Sequence, residues 1–171
     1  MLEICPFMCY DILKKEVNAM ARVLNTGEYL DAVSQLLAQG HENVPVPVTG
    51  HSMTPFLHPG DQVFLSPIRR EPKPGDVLLY RRATGQYVLH RLHRVTDRGY
   101  LITGDAQTEL ELIPRREQLL GVVTSAIHLG KPISPEDGYW QMYADLWRHL
   151  RPLRPVIVRV RGLLPSRKYK K

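Results

Sequence analysis

Pro74-Gly75-Asp76-Val77-Leu78-Leu79-Tyr80-Arg81-Arg82-Ala83-Thr84-Gly85-Gln86-Tyr87-Val88-Leu89-His90-Arg91 alternates turn residues with short apolar runs. Val77–Tyr80 and Tyr87–Leu89 are too short for helices and rich in residues that fit a pleated surface, so they read as two strands joined by the turn at 83–86. The same grammar extends both ways. Upstream, Pro59-Gly60-Asp61 precedes Val63-Phe64-Leu65, and Val44-Pro-Val-Pro-Val48 is extended because a residue before proline avoids the α region. Downstream, Asp97-Arg98-Gly99 precedes Tyr100-Leu101-Ile102, and Leu119–Val123 forms a last run. With 14 Pro and 12 Gly in 171 residues, the chain is rich in turns, and its fold class is mainly β.

Helices flank this region. Residues 10–39 have helical character. Gly27 separates an earlier helix from one that places Leu30, Val33, Leu36 and Leu37 on one face, and Gly40 is its stop. The polar stretch 130–138 reads as a linker. Beyond it, Trp140, Tyr143, Trp147 and Leu150 form one stripe of an amphipathic helix, ended by Pro152 and Pro155. Three parts result: an N-terminal helical segment (1–43), a β domain (44–129), and a linker, helix and basic tail (130–171).

The hydrophobic fraction of 43% and charged fraction of 23% are those of a globular chain with a real core. The net charge of +6 is uneven. From Gly138 onward nine Lys or Arg face one acid, Asp145, so the rest of the chain is slightly acidic. The basic tail is either a solvated appendage or a peripheral contact for an anionic membrane. Cys5 and Cys9 are badly placed to staple the fold and lack a His cluster for metal binding. No stretch approaches the roughly 18 apolar residues of a span, and the N-terminus lacks a secretory layout, so the expected location is cytoplasmic, peripheral to a membrane at most.

Gly50-His51-Ser52-Met53-Thr54-Pro55 carries the chemistry. A serine hydroxyl becomes a nucleophile when a base takes its proton and amide donors hold the oxyanion. Gly50 allows a substrate backbone to pass closely, and Pro55 stiffens the exit from the serine turn. Four further boxes follow in order: Pro59-Gly60-Asp61, Pro74-Gly75-Asp76-Val77-Leu78-Leu79-Tyr80, Val88-Leu89-His90-Arg91 and Gly104-Asp105-Ala106, with Leu120-Gly121-Val122-Val123 behind them. In order and spacing the middle half of the chain resembles the signal peptidase I superfamily, which includes LexA-type self-cleaving repressors. His90-Arg91 makes it similar to the archaeal and endoplasmic-reticulum branch, whose base is histidine.

That resemblance implies coiled antiparallel sheets and peptide-bond hydrolysis through an acyl-enzyme, with Ser52 as nucleophile and His90 as base. It implies Asp105 first and Glu111 second as the acid supporting His90; Glu111 stands where the family has aspartate. It implies an oxyanion site at the amide of Ser52, and substrate contacts at Gly50, Met53 and Pro55. The substrate would be a signal or leader peptide, or a precursor protein, with small residues before the cut. No cofactor, metal or nucleic acid is expected. Arg91 lies on the other face of the His90 strand and is read as structural, as are Asp61 and Asp76 in their turns. With an ordinary imidazole, cleavage should fall as pH drops through about 6.5. The rivals are a non-catalytic peptide-binding member of the same fold, in which Ser52 is a turn serine, and a nucleic-acid-binding regulator using the tail.

Overall fold

The computed structural model describes residues 26–149, with side chains described as far as residue 146. Cys5, Cys9, the helix expected before residue 26, the side chain of Trp147, Leu150 and the tail beyond it lie outside what the structure describes.

Helix α1 (Thr26–Ala38) leads into strands β1 (Val44–Pro47), β2 (Gln62–Ser66), β3 (Val77–Arg81), β4 (Tyr87–Thr96), β5 (Gly99–Thr103) and β6 (Glu111–Ile113). A 3-10 turn (Arg116–Gln118) precedes β7 (Leu119–His128) and β8 (Lys131–Ile133), and helix α2 (Gly138–His149) follows. The strands join in one antiparallel sheet of order β1-β2-β7-β3-β4-β5-β6, with β8 added on β7. The expected mainly β class is what forms, as a single eight-stranded sheet. Register shifts at Phe64/Leu65, Leu79/Tyr80 and Leu92/Arg94 are bulges, which bend and twist the strands that carry them.

β3 explains its own sequence. Val77 and Leu79 enter one apolar cluster with α1, β1, Met53, Phe56 and Trp140, whereas Leu78 and Tyr80 enter a second with Leu92, Tyr100, Ile102 and Ile113. A strand covered on both sides reads as a continuous apolar run, which is why Val-Leu-Leu-Tyr lacks alternation. Cross-strand pairing sets His90 opposite Leu78 and Arg91 opposite Val77, so these two neighbours on β4 take opposite faces.

Two expectations change. α1 buries Tyr29, Val33 and Leu37, while Leu36 is 38% exposed, because the Tyr29 hydroxyl donates to the Pro45 carbonyl at 2.6 Å and turns the helix toward β1. Gly121 makes room for this packing: a Cβ there would lie 2.9 Å from Leu37. The stretch read as a linker contains β8, whose residues Lys131–Ile133 return along Ala126–His128. Trp140 is buried, edge-on to Phe56 at 4.8 Å, and Tyr143 lies 4.7 Å from the same ring. This part of the aromatic stripe therefore packs on the β domain, and among the described side chains of α2 Tyr139, Met142 and Leu146 are exposed.

The two Pro-Gly-Asp turns are built alike. Asp76 accepts from the Lys73 amide at 2.8 Å and pairs with Arg70; Asp61 accepts from the His58 amide at 2.7 Å and pairs with His128.

Candidate active site

Ser52 sits in a coiled turn after β1. Met53, Phe56 and Leu57 are its anchors, all essentially buried, and the turn is closed by the Leu57 amide donating to the Met53 carbonyl at 3.0 Å. The apolar side chains pull the backbone inward and leave Ser52 half-buried at the surface. Pro55 follows a cis peptide bond with Thr54.

The Gly-Asp box meets this turn. The Ala106 amide donates to the Ser52 carbonyl at 2.8 Å. A Cβ at Gly104 would lie 2.6 Å from that carbonyl oxygen and 3.0 Å from His90 Nε2. The serine backbone and the imidazole edge thus flank one point, and only a residue without a side chain fits there. Gly104→Ala is expected to push the serine turn and His90 apart and to lower any hydrolysis by about 100-fold, the usual cost of misplacing reacting groups by an ångström. Peptide cleavage by a folded Gly104→Ala protein checks this, and a rate within threefold of wild type would refute it.

Ser52 and His90 line the same cavity, of about 380 Å³, with Val46, Gly50, Met53 and Gln107 among its other walls. A Cβ on Gly50 would meet nothing within 4 Å, so packing does not demand glycine there. Met53 is in the cavity wall at 1% exposure. Pro55 is not among the lining residues; its place is in the turn behind Ser52.

His90 is 2% exposed. Its Nδ1 is 3.2 Å from the Tyr80 hydroxyl, which donates to Glu111 Oε2 at 2.7 Å. Arg82 grips the same carboxylate twice, Nε to Oε1 at 2.7 Å and a terminal nitrogen to Oε2 at 2.6 Å. Burial, then the Arg82 charge, push the imidazole down to about 4, against an opposing pull from Glu111. The hydrogen bond from Arg82 holds Glu111 below the ordinary carboxylate range. Burial, together with the Glu111 hydrogen bond, keeps Tyr80 protonated.

The contacts set the two expected supporting acids, Asp105 and Glu111, apart. Asp105 is fully buried and takes two Arg91 nitrogens at 3.0 and 2.9 Å, on the face of β4 away from His90. Glu111 is the acid connected to the imidazole, through a tyrosine. Neither Tyr80 nor Arg82 stands out in sequence, since one completes an apolar run and the other opens a turn. The available clue was register: Tyr80 pairs with Val88, two residues from His90 on the same face, within reach of a long side chain.

His58, Asp61 and His128 form a group whose ligand-capable atoms lie within 4.8 Å of one another, a cluster that spacing along the chain hid. The Asp61 carboxylate already accepts from two backbone amides and from His128 Nδ1, so it serves as a latch between the 58–61 turn and the β7–β8 connection. Among the described residues no helix is long and apolar enough to cross a membrane.

Comparison with known families matches residues 16–124 to the model of a family described as Peptidase S24-like. No curated protein is significantly similar to the chain.

Proposed function

The chain belongs to the Peptidase S24-like family, and from that premise we propose that it is a serine endopeptidase of signal-peptidase type, cutting a signal or leader peptide with Ser52 as nucleophile and His90 as base. One observation carries the proposal: Ser52, from a turn, and His90, from β4, line one cavity, with the Ser52 carbonyl and His90 Nε2 on either side of Gly104. His90 takes the Ser52 proton, Ser52 Oγ bonds to the scissile carbonyl carbon, and the imidazolium returns that proton to the leaving amine. Water then attacks the acyl-enzyme, again giving its proton to His90, and the serine is released. The open space above Gly50 suits a peptide backbone lying along the cavity wall.

Incubation with peptides carrying alanine one and three positions before a test bond, together with labelling by a serine-reactive phosphonate, tests this proposal. Cleavage and labelling that both require Ser52 support it. Peptide binding with neither, under conditions where the protein is folded, would instead make the chain a peptide-binding member of its family.

The depressed imidazole changes the expected pH profile. His90 is the base only when neutral, and its value of about 4 leaves it neutral throughout the ordinary range. The acid limb of kcat/KM is therefore expected near pH 4, not near the 6.5 of a free imidazole. A histidine with a lowered folded-state value binds protons more readily when unfolded, so its contribution to stability is present above pH 6.5 and is lost as pH falls toward 4. A rate profile with its midpoint at 6.5 would show that the imidazole is not held as described.

A further inference from the structure

We infer that Tyr80 is a positioning residue that fixes the proton on His90 Nδ1 and so presents Nε2 to Ser52, an inference that rests on the peptidase proposal only for its catalytic consequence. A tyrosine hydroxyl has a single hydrogen. The acceptor facing it, Glu111 Oε2 at 2.7 Å, is a carboxylate kept ionised by two bonds from Arg82, and an ionised carboxylate has no hydrogen to give. The Tyr80 hydrogen therefore points to Glu111. The remaining contact, Tyr80 oxygen to His90 Nδ1 at 3.2 Å, can hold a hydrogen only if Nδ1 supplies it. A neutral imidazole has one N–H, so Nε2 keeps its lone pair on the side of Gly104 and the serine turn.

The intervening phenol also separates two effects that a direct carboxylate would merge. It sets the tautomer, yet keeps the negative charge one residue away from the ring. When Nε2 takes the Ser52 proton, the Nδ1 hydrogen stays where it is, and the chain of donors still ends at Glu111. The charged groups that act on His90 are Arg82 and Glu111. Gln107, from the β5–β6 loop, approaches the same glycine. Asp105 is bonded by Arg91.

Three full-length variants test this, read by nitrogen NMR of labelled histidine and by kcat and KM on the alanine-containing peptide. Wild type should show His90 with its proton on Nδ1 at neutral pH. Tyr80→Phe keeps the buried ring but removes the oxygen. It should lose that preference and lower kcat about tenfold, with KM within twofold. In Glu111→Ala the Tyr80 hydrogen has lost its acceptor and turns to Nδ1, which forces the proton to Nε2. The expected loss in kcat is about 100-fold, since a base in the wrong tautomer is a poor base. The double variant Tyr80→Phe/Glu111→Ala should then be more active than Glu111→Ala alone, a rescue that a merely structural tyrosine would not give. Retention of the Nδ1 proton in both single variants, or a double variant worse than either, would overturn the inference. The NMR readout needs no turnover. An inactive wild type would thus count against the peptidase proposal, while the tautomer result would still decide the role of Tyr80. Circular dichroism confirms that each variant is folded.

Discussion

Ser52→Ala is expected to lower peptide cleavage by about 10⁴-fold or more while leaving the fold intact, because in the proposed mechanism the serine oxygen is the atom that forms the acyl bond and no other group replaces it. The substitution is small and half-buried, in a turn whose anchors are Met53, Phe56 and Leu57, so the stability change should be within about 0.5 kcal/mol. His90→Ala should cost a comparable amount, since an unassisted hydroxyl is a weak nucleophile. Ser52→Ala/His90→Ala should then be no slower than either alone, as expected for residues that act as one unit. Steady-state hydrolysis of the alanine-containing peptide, with circular dichroism as the folding control, provides the measurement. If Ser52→Ala kept activity within tenfold of wild type, the nucleophile would have to lie elsewhere.

The strands and turns of the β domain were legible because their signals are local. Pro-Gly-Asp turns and short apolar runs announce themselves within a few residues, and the runs at 63–65, 77–80, 87–89, 100–102 and 119–123 all fall within strands. Strand ends were less visible. β4 continues through His90-Arg91-Leu92-His93 to Thr96, across a bulge, and polar residues on a partly covered strand resemble a loop. β6 and β8 have only three residues each and owe their existence to the neighbours they pair with. The order β1-β2-β7-β3 brings the end of the domain between its early strands, a long-range pairing that no local pattern encodes.

The site divides along the same line. Ser52 and His90 belong to boxes whose order could be followed along the chain. The choice between Asp105 and Glu111 depended on which face of β4 each acid meets. His90 and Arg91 are adjacent in sequence and opposite in space. One acid goes to each, and chain distance gives no hint of which. Glu111 reaches His90 only through Tyr80, which enters from another strand.

That division of acids makes its own demand on stability. Arg91 and Asp105 form an ion pair with side-chain exposures of 5% and 0%. The guanidinium also donates to the Gly75 carbonyl at 3.0 Å and lies 4.5 Å from the centre of the Phe56 ring, beneath the serine turn and against α2. Asp105→Ala leaves this charge buried without its carboxylate, and breaking a buried pair from one side costs about 3–5 kcal/mol. In a domain of this size the midpoint of thermal unfolding should drop by about 10–20 °C. Replacing both partners with apolar residues, Arg91→Met/Asp105→Leu, should recover much of the loss, because the penalty comes from the orphaned charge. A catalytic Asp105 would behave in the opposite way: its alanine variant would keep its melting temperature and lose its rate, and the double variant would not regain it. Thermal denaturation and peptide hydrolysis on the same three proteins separate the two. A melting temperature within about 3 °C of wild type, combined with a large loss of rate, would return Asp105 to the catalytic site and remove Glu111 from it.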